Sequence, residues 1–328
     1  NETKNVLIAF LAAKAVIEGQ MSLGIMFAIQ FIVGQMNSPI DQLINFFHSA
    51  QDAKISLERL AEVHDQPIEG EGKVNPVEEM PANISLKISG LVFQYEGPHS
   101  PKVVDDVTFE VPENKVTAIV GSSGSGKTTL IKLLLGLYQP VNGEILLGDN
   151  SLDNFNQRVY RSHCGAVLQD GYLFSDTIAK NIALSDESID LSRLAFAAEK
   201  ANILDFIRSF PLGFNSRIGV DGHGISQGQK QRLLIARAIY KDPRLIFFDE
   251  ATNSLDANNE KVIMENLAEF FKGRTVVVVA HRLSTVKHAD QILVMERGKI
   301  IETGTHDGLV KQQGAYFNLV KNQLELGM

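Results

Sequence analysis

An α/β fold is predicted by three features of this 328-residue sequence. Val116–Val120 (VTAIV) is a short, mostly apolar run, a glycine-rich turn follows it, and residues 128–138 continue as an apolar-striped helix. A second apolar run, at 245–248, is preceded by the turn signal Asp242-Pro243 and ends in two acids, Asp249 and Glu250. Ahead of both lies a stretch of different character, with mostly apolar segments at 6–17 and 21–36. Strands that are apolar at every position, rather than at every second one, are those covered on both faces of a sheet.

Composition narrows the class. With 44% hydrophobic and 21% charged residues the chain carries enough apolar side chains to build a core, which excludes disorder. The net charge of −8 gives no basic surface of the kind that nucleic-acid binders present, so no nucleic-acid partner is expected. A single cysteine, Cys164, excludes a disulfide framework within the chain; set in an apolar strand pattern, it reads as a small buried hydrophobe.

The turn between strand and helix is Gly121-Ser122-Ser123-Gly124-Ser125-Gly126-Lys127-Thr128-Thr129. Glycines at 121, 124 and 126 reach backbone angles closed to other residues and admit a close ligand, so that successive N–H groups can form an anion nest. The helix that starts here adds the positive end of its dipole. Lys127 supplies a point charge for β- and γ-phosphates, and the Thr128 hydroxyl is placed for Mg²⁺; this is the phosphate loop of nucleotide-hydrolysing enzymes. At the carboxyl end of the second strand, Asp249 is placed to hold the metal and Glu250 to act as general base on the attacking water.

Further motifs fall in a fixed order around this pair. Tyr95 follows a strand pattern upstream, Gln169 follows the apolar stretch 166–168, ISQGQKQR occupies 225–232, Ser254-Leu255-Asp256 follows the acid pair, and His281 ends the strand pattern 275–280. Together they resemble the nucleotide-binding domain of exporter-type ABC transporters, with part of a membrane domain ahead of it. The resemblance implies a P-loop NTPase of the ABC type, with an antiparallel β subdomain and a helical signature subdomain, that hydrolyses ATP with Mg²⁺. Tyr95 would stack on adenine, Gln169 would reach the metal and the water, and His281 would contact the γ-phosphate. Ser226, Gly228 and Gln229 would meet ATP held by a second copy of the chain, and Asp256 lies in the loop that crosses that interface. Gln227 departs from the commonest signature, which has glycine there; function is expected to survive.

About 55 residues separate Gln169 from Ile225, room for a compact helical subdomain and not for the coiled-coil arm of DNA-acting relatives. Residues 84–95 and 107–111 read as strands of the antiparallel subdomain, 189–209 as helices of the signature subdomain, 291–301 as two strands turning at Arg297-Gly298, and 316–324 as a closing helix.

Each N-terminal apolar segment is shorter than the roughly 20 residues of a full span, and hydropathy alone leaves a buried soluble hairpin open. Beside the downstream motifs they read as the end of one membrane helix, an external turn, and a last helix whose apolar stripe continues from Ile40 past Leu60. The expected organisation is 1–66 as the C-terminal part of a transmembrane domain, 67–82 as a linker rich in Pro, Gly and Glu, and 83–328 as the ATP-binding domain. The chain begins at Asn1 with no basic flank or cleavage site. It therefore reads as a piece of a longer, multi-pass protein of the cell membrane, with the ATPase on the cytoplasmic side. Residues 20–66 and 222–240 look closest to peptide and bacteriocin exporters, several of which carry an N-terminal peptidase not present here. The alternatives are a multidrug or lipid exporter of the same architecture and a soluble, non-transport ABC ATPase.

Overall fold

The first 64 residues fold as two helices, α1 (Glu2–Ile17) and α2 (Leu23–His64), in a computed structural model that describes residues 2–64, 76–97, 100–184, 188–219, 224–249, 257–280 and 286–326. α1 stops because Gly19 turns left-handed (φ 75°), which lets the N–H groups of Gly19 and Gln20 close on the carbonyls of Val16 and Ala15. The hairpin is antiparallel: Lys4 Nζ donates to Asn37 Oδ1 at 2.8 Å, two positions nearly equidistant from the turn. α2 is 42 residues long, about 63 Å at 1.5 Å per residue, and runs on through Pro39. Phe10 and Phe31 are 66% and 68% exposed, and residues Leu23–Glu62 are long and apolar enough to cross a membrane.

Residues 1–71 form one compact unit and 72–328 a second. The second unit contains two sheets. β1 (Leu86–Phe93), β2 (Val104–Val111), β4 (Asn142–Leu147) and β5 (Asn150–Ser151) make an antiparallel sheet in the order β2-β1-β4-β5. β3 (Val116–Val120), β6 (Cys164–Val167), β7 (Leu245–Asp249), β8 (Thr275–Val279), β9 (Gln291–Glu296) and β10 (Lys299–Gly304) make a sheet ordered β10-β9-β3-β8-β7-β6. It is parallel except for the β9–β10 hairpin.

The apolar runs are explained by what covers this sheet. Ile119, Phe247, Val277 and Leu293 enter one core, with the antiparallel sheet and α3 (Lys127–Leu134). Their neighbours Ala118, Ile246, Val276 and Ile292 enter a second core on the opposite face. There they meet α5 (Ile178–Ala183), α6 (Leu191–Lys200), α7 (Leu204–Arg208) and α8 (Gln227–Tyr240). Alternate side chains thus serve two cores, which is why these strands are apolar on both faces; Thr117, Thr275 and Asp249 are their buried polar members.

Several boundaries differ from the sequence expectation. α3 ends at Leu134 rather than running to 138, because Gly136 adopts φ 65° and the N–H groups of Gly136 and Leu137 close on Leu133 and Lys132. The strands β4 and β5 and the short helix α4 (Gln157–Ser162) were not assigned from the sequence. Val77, inside the expected linker, pairs with Phe155 and exchanges hydrogen bonds with Asn154 and Asn156.

The exposed apolar faces of α1 and α2 predict a solubility difference. The 328-residue chain should pellet or form heterogeneous aggregates without detergent or lipid, whereas residues 76–328 should stay soluble, since their apolar side chains fill cores of their own. Size-exclusion chromatography with light scattering, with and without detergent, checks it.

Candidate functional site

The turn after β3 is built on close backbone approach. At Gly121 a Cβ would lie 2.0 Å from the Met295 carbonyl oxygen, and at Gly126, with φ 102°, it would lie 2.6 Å from the Val103 oxygen. Neither clash can be relieved by a side-chain rotation, so the loop packs against β9 and the entry to β2 only as glycine. The Gly298 N–H donates to the Ser125 oxygen at 3.1 Å, tying the β9–β10 turn to the loop. Gly124 (φ 77°) is different: nothing stands within 4 Å of its Cβ position. Its left-handed angle shapes the open rim of the loop with Ser122 and Ser123, all exposed.

α3 begins with Gly126 as N-cap and no side-chain cap, so its first turn of N–H groups faces the loop. Lys127 is 5% exposed and its Nζ donates to the carbonyls of Gly121 (3.0 Å) and Ser122 (2.8 Å). The ammonium therefore sits across the loop. Thr128, next on the helix, is half-buried, and Thr129 is buried with its Oγ1 2.9 Å from the Tyr95 hydroxyl. Tyr95 keeps 50% of its surface exposed and packs edge-on to Phe93 (5.0 Å) and Tyr138 (5.5 Å). The aromatic patch beside the loop thus has two members, Phe93 and Tyr138, that the sequence reading did not pick out.

Strand register brings the acid to the same edge. Ile119 and Asp249 both pair with Val279, so Asp249, fully buried, ends β7 level with the end of β3. The two strands are separated only by β8, about 10 Å at the usual spacing. Gln169 is exposed in the turn beyond β6, itself next to β7. Lys132 of α3 reaches that turn through Asp170 (3.4 Å). Loop, acid and glutamine therefore share one end of one sheet. The open rim, uncapped helix and buried cation fit a polyphosphate, and Thr128, Gln169 and Asp249 supply oxygen donors suited to Mg²⁺.

Ser226 lies apart from these. It caps α8: its Oγ accepts from the Gln229 N–H (3.2 Å) while its own N–H donates to Gln229 Oε1 (2.8 Å). Ser226 and Gln227 are exposed and Gly228 is half-buried. The side chains α8 buries all enter the core opposite the one holding α3. Glu250, Asp256 and His281 lie outside the described residues. Cys164 is excluded from chemistry: burial pushes its thiol up to about 12, and it donates to the Tyr160 carbonyl.

The fold and site define a nucleotide-binding α/β domain. Residues 104–253 match the ABC transporter family. The chain is 39% identical over 326 residues to the leukotoxin translocation ATP-binding protein LktB of Mannheimia haemolytica, and equally to that of Bibersteinia trehalosi, across 99% of this chain and 45% of the relative. It thus spans less than half the length of these curated relatives. Among solved structures, a bacterial Atm1-family ABC exporter with ATP bound aligns with TM-score 0.76 and 32% identity, over 97% of this chain and 56% of that one. The chain carries an ABC transporter ATP-binding domain, in an exporter fold.

The two rim and floor glycines separate by substitution. Gly124→Ala should cost about 1 kcal/mol, the left-handed strain alone, while Gly126→Ala adds a backbone clash and should cost roughly 2–5 kcal/mol. Urea unfolding monitored by circular dichroism ranks them.

Proposed function

We propose that the chain is the ATP-hydrolysing motor segment of a membrane exporter, in which two copies close on two ATP molecules and drive cargo across the bilayer. The observation that carries this reading is the division of the site. α3, which continues the phosphate loop, buries its apolar side chains in one core and the Ser226 helix buries its own in the other, with the six-stranded sheet between them. Such a division favours a shared site, with ATP on the loop of one copy meeting Ser226, Gly228 and Gln229 of its partner. The exporter solved with ATP bound, similar over 97% of this chain, supports ATP as the ligand.

Within each site the chain's residues take distinct parts. Tyr95 stacks on the base, Lys127 and the loop N–H groups bind the phosphates, and Gln169 orients water at the γ-phosphate. Glu250 takes the proton of that water as it attacks phosphorus and the ADP oxygen leaves. His281 holds a γ-phosphate oxygen, and Asp256 bridges to the second copy. Thr128, Gln169 and Asp249 would hold Mg²⁺, which would supply charge neutralisation to the phosphates. The N-terminal hairpin lies in the cell membrane as part of a multi-pass domain, with the ATPase on the cytoplasmic side. The similarity to leukotoxin translocation proteins supports a polypeptide cargo, of which peptides and bacteriocins are the narrower class.

Two measurements test this. Glu250→Gln should keep ATP binding while slowing hydrolysis by roughly 10²–10⁴-fold, and should accumulate a closed dimer. Turnover within a few-fold of the parent would remove Glu250 as the base.

Lys127→Ala and Ser226→Arg should each be inactive alone, whereas mixed dimers of the two should regain one intact site. The check is ATPase activity against mixing ratio, with dimer exchange followed by fluorescence. Mixed dimers without activity would refute the shared site.

A further inference from the structure

The turn that carries Gln169 is fastened to the helix that carries Ser226, by contacts that neither residue makes itself. Gly171, two residues after Gln169, lies so close to α8 that a Cβ there would stand 2.4 Å from Leu234 Cδ1. One residue on, the Tyr172 carbonyl accepts from Arg237 Nη1 at 2.9 Å, and Arg237 Nε donates to the Asn181 carbonyl at 2.8 Å. Asn181, 1% exposed, completes the fastening with its side chain. Its Oδ1 accepts from the Phe174 N–H (2.8 Å), and its Nδ2 donates to the carbonyls of Phe174 (2.9 Å) and Thr177 (3.1 Å).

Arg237 is a costly way to hold two carbonyls. Among the described residues no carboxylate pairs with it, its Nη2 is buried without a hydrogen bond, and burial alone draws its guanidinium below the ordinary range. An ion pair therefore does not account for it. The rigid planar fork does: two donors at a fixed angle bind two carbonyls from different segments, which a flexible ammonium cannot do. Leu234 and Arg237 lie on the same helix as Ser226, with Arg237 about 16 Å from the cap. A helix transmits displacement along its axis without bending over so short a span.

We propose that Arg237 and Asn181 are positioning residues for ATP hydrolysis, locking the segment after Gln169 to the Ser226 helix so that Gln169 and Ser226 move as one unit. The inference rests on the shared-site reading above. Its consequence is that Gln169 finds the γ-phosphate of its own chain's ATP only when Ser226 is seated on the partner's. Loss of the lock leaves the packing beneath Tyr95 and α3 in place, because Phe93 and the buried apolar side chains of α3 belong to the other core.

The test compares Arg237→Met, Arg237→Lys, Gly171→Ala and Gly171→Ala/Leu234→Ala with the parent, using the whole chain reconstituted in lipid. Arg237→Met should lower kcat by about 10- to 100-fold, the scale of an ångström-sized misplacement. KM for ATP should stay within about twofold and the melting temperature within a few degrees. Arg237→Lys, which can meet one carbonyl at a time, should fall between. Gly171→Ala should show the same kcat loss, and shortening Leu234 in the double variant should restore part of it, although a merely structural role would make the double variant worse than either change.

An Arg237→Met kcat within twofold of the parent overturns the proposal. So does a loss in which KM rises and melting falls in step with kcat. Trapping by Glu250→Gln separates the two layers: no trapped dimer with the Arg237 effect intact would refute the shared site and leave the lock on Gln169 standing.

Discussion

The two-faced burial of the six-stranded sheet is the constraint on which the rest of the second unit depends. Because β3, β7, β8 and β9 send alternate side chains into different cores, each face needs its own cover. One face takes α3 and the antiparallel sheet; the other takes α5 to α8. The strand ends that result are level, which sets Asp249 at the same sheet edge as the loop. The same arrangement assigns α3, after the loop, and α8, after Ser226, to different cores. The chemistry proposed for this chain, half of a site on each of two copies, follows from a packing requirement rather than from the site residues themselves.

Much of this was legible because the signals were local. A strand apolar at every position, a run of glycines and a lysine at the start of a helix need no knowledge of distant partners, and Val116–Val120, Gly121 to Thr129 and Leu245–Asp249 lie where their sequence places them. β9 and β10 were readable through Arg297-Gly298, both of which adopt positive φ (47° and 80°). β4 was not: its first half is exposed and only Ile145 and Leu147 are buried, so it shows neither a full apolar run nor a full alternation. The end of α3 was missed because Leu137 and Tyr138 prolong the apolar stripe beyond the glycine that stops it. Phe93 and Tyr138 were invisible as site residues for a further reason. They come together from separate elements, and only the fold makes them neighbours of Tyr95.

Gln227 is explained by the cap that precedes it. Ser226 and Gln229 satisfy each other's backbone and side-chain groups, which fixes the first turn of α8 without help from residue 227. At the first helical position glutamine is a better helix former than glycine by close to 1 kcal/mol, so the substitution firms the helix start. Its side chain is exposed and takes no part in the capping box. The cost falls elsewhere: a side chain now stands on the surface that the partner's ATP is proposed to approach, where glycine would leave the backbone bare. Arg237 ties the same helix to the Tyr172 and Asn181 carbonyls about three turns away. Accommodation must come from the glutamine's own rotamers, which are free in solvent and would be restricted on closure, at a cost of up to about 2 kcal/mol. On the proposed pairing, the residue would trade a firmer helix in the single chain against an entropy loss, and both effects would act through the same turn.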